Sequence, residues 1–162
     1  MPDGLNESPA LSAVLDALAA RFGSAILEST FAKKELSVRL KTESLLPVAA
    51  FLKSEQGFNA LSDMIGLDHP GTPGEGRTRF SVLYQLYKYP AHLRLRLVVD
   101  VPEGGEVDSI VSIHKSADWA EREIFDMFGI RFAGHPDLRR VYLDPEFEGH
   151  PLRKDFPLQG KP

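Results

Sequence analysis

FSVLYQLYKYPAHLRLRLVVDV, residues 80–101, decides the fold class. In its first half Phe80, Val82, Tyr84 and Leu86 share one side of an extended chain, and in its second half Leu93, Leu95, Leu97, Val99 and Val101 do the same. Side chains alternate between the two faces of a strand, so this period of two predicts neighbouring strands of a sheet with one buried face. Opposite the second set stand His92, Arg94, Arg96 and Asp100, a solvated or partner-facing side.

Upstream, residues 25–31 and 35–40 read as a hairpin about the turn-like Lys33-Lys34, and 58–67 as a further strand. Ser109 to His114 reads as another. Helices alternate with these strands. Ser8 before Pro9 is a helix start, Leu11, Val14, Leu15, Leu18 and Phe22 form its apolar face, and Gly23 is its stop. Ser44 is placed to cap a second helix to about Lys53, with Pro47 in its first turn and Gly57 beyond its end. The HPGTPGEGR stretch, 69–77, is a connector: its glycines are spaced neither as a phosphate loop nor as GxGxxG. The expected fold is α+β, a mixed or antiparallel sheet with helices mainly on one side, followed by an extended irregular C-terminal strap. The expected division is a domain over 1–130 and an interface segment over 131–162.

Composition narrows the function classes. A 162-residue chain that is 43% hydrophobic has enough apolar surface for one domain with a real core. Its 19 basic and 23 acidic residues leave a net charge of -4, which disfavours general attraction to nucleic acid or anionic lipid. Zero cysteines exclude disulfides, thiolate zinc sites, a cysteine nucleophile and cysteine-ligated iron-sulfur clusters. Charges interrupt every apolar run before the ~20 residues that span a bilayer. The N-terminus carries no secretory or organelle signature, so a bacterial-type cytoplasm is expected, with any membrane association made through a partner.

The segment SADWAEREIFDMFGI predicts a helix from about Trp119 to Phe128 that stops at Gly129, with Asp118 and Glu121 at capping-box spacing. Ala120, Ile124, Met127 and Phe128 form its apolar face, with Phe125 beside it. Glu121, Arg122, Glu123 and Asp126 form the polar side, where Arg122 and Asp126 are spaced to pair. The stretch that follows, GHPDLRRVYLDPEFEGHPLRKDFP at 134–157, has no helical or strand period. His135 with Asp137 and Glu148 with His150 suggest a metal-dependent hydrolase. Each His precedes a Pro, however, and neither pair has the helical spacing of a zincin. An interface strap is the stronger reading. Prolines at 136, 145, 151 and 157 restrict the free chain, Arg139, Arg140 and Arg153 offer planar forks, and Tyr142, Phe147 and Phe156 offer apolar anchors. The competing reading is a tail that wraps its own domain.

Together these runs resemble the signature region of the 30 kDa-type subunit of the proton-pumping NADH:quinone oxidoreductase, respiratory complex I. The resemblance rests on Glu121, Arg122 and Glu123, on Asp126 to Ile130, on Gly134 to Arg140 with His135, Arg139 and Arg140, and on Phe147 to Leu158 with His150, Arg153, Lys154 and Asp155. Weaker likenesses lie at 61–70 and 80–102. Family members often carry Tyr-Gly where this chain has Pro145-Glu146, and many continue beyond the Phe-Pro-Leu segment. The resemblance implies a complex that passes electrons from NADH through FMN and Fe-S clusters to quinone, coupled to proton translocation. It also implies a place in the peripheral arm beside the quinone-site subunit and the cluster-bearing subunits, on the cytoplasmic side of the bacterial inner membrane. This chain has no recognisable ligand set for those cofactors, so a cofactor-free structural role without independent activity is expected. The homologous subunit of a membrane-bound hydrogenase or ferredoxin-dependent complex is the alternative that the same motifs serve.

Overall fold

The protein is described from a computed structural model covering residues 8–69 and 78–159. The expected connector therefore lies outside the described residues apart from His69. Helix α1 (Pro9–Phe22) leads into the hairpin β1 (Ile26–Ala32) and β2 (Glu35–Leu40), whose turn holds Lys33 and Lys34 at positive φ. Helix α2 (Leu45–Ser54) is followed by β3 (Ala60–Asp68), β4 (Phe80–Lys88) and β5 (Leu93–Val101). Strand β6 (Glu106–Asp108), helix α3 (Ala117–Phe128) and strand β7 (Arg131–Ala133) complete the regular elements.

The main sheet runs β1-β2-β5-β4-β3. Only its β2–β5 pair is parallel, so the sheet is mixed. The alternation at 80–101 builds its core: Phe80, Val82, Tyr84, Leu86, Leu95, Leu97, Val99 and Val101 are all buried. They join Leu11, Val14 and Leu18 of α1, Leu45, Val48 and Leu52 of α2, and Ile124 and Phe128 of α3 in one cluster. All three helices thus cover one face of the sheet. On the other face polar side chains pair with one another: Arg39 Nη1 meets Asp100 Oδ1 at 2.5 Å, Ser81 donates to the same oxygen at 2.7 Å, and Arg96 reaches Glu35 at 3.2 Å. His92 leaves that row, lying in the β4–β5 turn at φ +56.

Four local expectations are corrected. Ser109 to His114 is a series of turns instead of a strand. Its amide groups are claimed elsewhere: Glu121 Oε1 accepts from Ile110, Ser109 Oγ accepts from Val111, and Ile113 and His114 fold back on the Ile110 carbonyl. Asp118 and Glu121 form no capping box, because α3 begins at Ala117 behind Ser116. Ser8 and Ser44 stand at helix starts without a side-chain cap bond. Gly23 follows α1 in a right-handed conformation and opens a short 3-10 turn.

Helix α3 lies close to the sheet because β3 carries Gly66 beneath it. A Cβ there would stand 2.7 Å from Phe128 Cδ2 and 3.3 Å from Ile124 Cγ2, so any larger residue would push the helix outward. Beyond α3, β7 pairs in parallel with β6, so the ordered ladder continues past residue 130.

Candidate functional site

Helix α3 and the segment after β7 form one unit. Gly129 closes the helix in the left-handed conformation, φ +76, donating its N–H to the Phe125 carbonyl at 2.8 Å. The next carbonyls of a helix end have no partner within the helix. Here the second Gly-His-Pro supplies them: His150 Nδ1 donates to Asp126 O at 2.9 Å, Leu152 N–H to Met127 O at 3.1 Å, and Arg153 Nε to Phe128 O at 2.6 Å. A cation at this end also meets the negative pole of the helix. Gly129 is required twice over, since a Cβ would lie 2.6 Å from His150 Nε2 and 2.7 Å from Arg153 Nη2.

Asp126 organises the rest. Its side chain is fully buried, although the helical pattern assigns it to the polar side. Oδ1 accepts from Arg140 Nη1 at 2.7 Å, while Oδ2 accepts the consecutive backbone N–H groups of Val141, Tyr142 and Leu143 at 3.1, 2.8 and 3.1 Å. Burial alone would push this carboxyl up. The Tyr142 N–H, the Arg140 guanidinium and the Leu143 and Val141 N–H groups overcome it and hold the carboxyl below its ordinary value of 3.8. Arg140 spends its other nitrogen on the carbonyls of Phe147 and Gly149, at 3.0 and 2.9 Å. Asp126 therefore pairs with Arg140, and the expected Arg122–Asp126 pair does not form.

A second buried carboxylate ties the segment to the sheet. Asp68, at the end of β3, accepts from Arg79 Nε at 3.1 Å and from the Lys154 N–H at 2.8 Å. Burial opposes ionisation there too, but Arg79, the Lys154 N–H and Arg153 bring the carboxyl below its ordinary value. Arg79 continues to Glu103 at 2.8 Å and to Asp155 at 2.9 Å. Sequence reasoning missed Asp68, Arg79 and Glu103, because nothing in their local pattern points to partners in a distant tail.

The first Gly-His-Pro serves the other end of α3. His135 Nε2 donates to Asp118 O at 3.1 Å, and its Nδ1 accepts the Asp137 N–H at 3.0 Å, which fixes the tautomer. Glu121 is also fully buried, with Oε2 3.9 Å from His135 Nε2. Burial raises its carboxyl above the ordinary value despite the Ser109 hydroxyl and the Ile110 N–H.

Of the residues singled out in sequence, Glu121, Asp126, His135, Arg140, His150, Arg153 and Asp155 are engaged inside the chain, and Lys154 is held through its backbone. Arg139 is exposed and paired with Asp137 at 2.8 Å. Phe147 is partly exposed and stacked on Phe156. Arg122 lies over the Trp119 ring, and Glu123 meets the Tyr142 hydroxyl at 3.5 Å. Among the described residues no three His, Asp or Glu side chains are grouped to hold a metal ion, and no helix is long and apolar enough to cross a membrane.

Known proteins resemble this chain over most of its length. The C-type subunit of the NADH-quinone oxidoreductase of Trichlorobacter lovleyi is 43% identical over 147 residues, 90% of this chain and 89% of the relative. Its counterpart in a Methylobacterium species is 40% identical over 153 residues, covering 93% of this chain and 69% of its own length. A solved trypsin-resistant fragment of Nqo5 superposes with a TM-score of 0.69 at 34% identity, over 80% of this chain and 99% of that one. A chain of an archaeal membrane-bound sulfane sulfur reductase shares the fold at 18% identity, with a TM-score of 0.76 over 91% of this chain and 85% of that one. The family model for "Respiratory-chain NADH dehydrogenase, 30 Kd subunit" matches residues 38–162, and this chain belongs to that family.

Proposed function

We propose that this chain is a non-catalytic, structural subunit of the peripheral arm of an NADH:quinone oxidoreductase, packed beside the quinone-site subunit and the cluster-bearing subunits. Its partners carry the FMN, the Fe-S clusters and the quinone site, and the assembly couples electron transfer to proton translocation on the cytoplasmic side of the bacterial inner membrane. This chain has no cysteine and therefore no conventional Fe-S cluster ligand set of its own.

One observation carries the reading. The tail is bound to its own domain along its inner side, yet Trp119, Tyr142, Phe147 and Leu152 remain exposed on α3 and the tail, at 51%, 60%, 38% and 53%. Clustered exposed aromatics beside arginines are the composition of an interface. The strap is thus a scaffold that its own domain holds in place, and its outer surface is the part available to neighbours.

The test is purification from native membranes through a tag on this chain. The expected result is co-purification with flavin- and cluster-bearing subunits and NADH-dependent quinone reduction. A chain that purifies alone would contradict the proposal, and one that purifies with a hydrogenase or a ferredoxin-dependent enzyme would move it to that related complex.

A further inference from the structure

The outer side of α3 and the first half of the tail enclose an open groove of about 480 Å³. Its apolar part is formed by Phe125, Leu138, Val141 and Leu143. Trp119 stands at one side, 6.0 Å centroid to centroid from Tyr142 in an edge-on contact. Three arginines, Arg122, Arg139 and Arg140, also line it, and no Asp or Glu among the described residues does.

Two of these charges are already matched. Arg140 is committed to Asp126 at 2.7 Å and Arg139 to Asp137 at 2.8 Å. Arg122 differs. Its Nε donates to the Arg139 carbonyl at 3.3 Å and its guanidinium lies 5.4 Å from the Trp119 centroid, but among the described residues it has no carboxylate partner. The aromatic face and the carbonyl hold the fork in place while leaving its terminal nitrogens for a ligand, so little side-chain entropy remains to be lost on binding. One unmatched charge beside an apolar floor suits a single carboxylate attached to an apolar side chain. It does not suit a polyanion such as nucleic acid, which needs a run of unmatched cations.

We propose that this groove receives a segment of a neighbouring subunit in which an aliphatic or aromatic side chain sits next to an Asp or Glu. The apolar side chain lies on Phe125, Leu138, Val141 and Leu143, and the carboxylate takes the Arg122 fork. The proposal rests on the reading of the chain as an assembled subunit and names the chemistry of one contact within it.

The experiment uses the full chain in its cells, with p-benzoylphenylalanine replacing Trp119 for photo-cross-linking in the assembled complex. The expected product joins this chain to one peptide of another subunit that contains an acidic residue adjoining an apolar one. Arg122→Glu is expected to lower recovery of the complex about tenfold or more, the scale of an interface hot spot. Exchanging the partner's acidic residue for Arg is expected to restore it. A cross-linked peptide without a carboxylate, wild-type recovery for Arg122→Glu, or no rescue by the exchange would overturn the proposal. Thermal unfolding of the purified Arg122→Glu chain separates assembly from folding: an unchanged midpoint is expected, and a drop that accounts for the lost assembly would assign Arg122 to the fold instead. A wild-type chain that joins no oxidoreductase would overturn the parent reading together with this one. A wild-type chain that assembles while position 119 cross-links to no neighbouring chain would overturn this proposal alone.

Discussion

Helix α3 carries two fully buried carboxylates, Glu121 and Asp126, and they live in opposite circumstances. Asp126 is surrounded by three backbone N–H groups and a guanidinium, and its carboxyl is held below the ordinary range. Glu121 has only the Ile110 N–H and the Ser109 hydroxyl to offset its burial, and its carboxyl is pushed above that range. Burial is common to both, so the number of donors aimed at the charge decides the sign. The C-terminal half of α3 is therefore an anion site that folds the tail around itself, while the N-terminal half is a packed junction with the turns between β6 and α3.

The largest effect is expected at the anion site. Asp126→Asn leaves Arg140 without its charge partner and turns an amide N–H₂ toward donors, so unfolding free energy is expected to fall by about 3 kcal/mol or more in denaturant titrations. Glu121→Gln keeps an acceptor for the Ile110 N–H and removes the buried charge, and is expected to cost less at neutral pH. Equal losses for the two would erase the distinction.

Gly129→Ala comes next. The left-handed conformation costs a residue with a Cβ about 1–2 kcal/mol, and the added methyl meets His150 and Arg153. The expected result is a lower unfolding midpoint together with faster amide exchange at Leu152 and Arg153. A loss of stability with the exchange unchanged would mean that the helix end and the tail are held independently.

The smallest effect is the pH dependence, and its sign separates the two carboxylates. Asp126 and Asp68 have folded-state values below their ordinary 3.8, so they contribute stability that is present above about that pH and is lost as pH falls through the folded values. Glu121, raised above its ordinary 4.5, acts the other way: its contribution is present below that pH and is lost as pH rises through the folded value. Unfolding measured against pH is expected to show a shallower loss toward acid in Asp126→Asn than in the wild type. In Glu121→Gln the weakening on the rise above pH 4.5 should disappear.

Much of this architecture was legible from residue order. One-sided burial imprints a period of two on 80–101, and the Gly129 stop follows the last apolar residue of its helix. The burial of Glu121 and Asp126 was not legible, because an amphipathic pattern counts every carboxylate as polar surface. Their partners are largely backbone N–H groups that carry no side-chain signature, supplied from residues 110 and 141–143. The same cause misdirected the reading of 109–114, whose Ile110 and Val111 are as buried as strand residues while their N–H groups bond to side chains. The two Gly-His-Pro turns were conspicuous in sequence, but their task appears only when each imidazole is seen against a carbonyl of α3.

The central claim is that the tail is held by its own domain before any partner binds. Amide hydrogen exchange at Val141, Tyr142 and Leu143 in the isolated full chain tests it most directly. Slow exchange at all three in the wild type, lost together in Asp126→Asn, is the predicted result; fast exchange in the isolated wild-type chain would contradict the account.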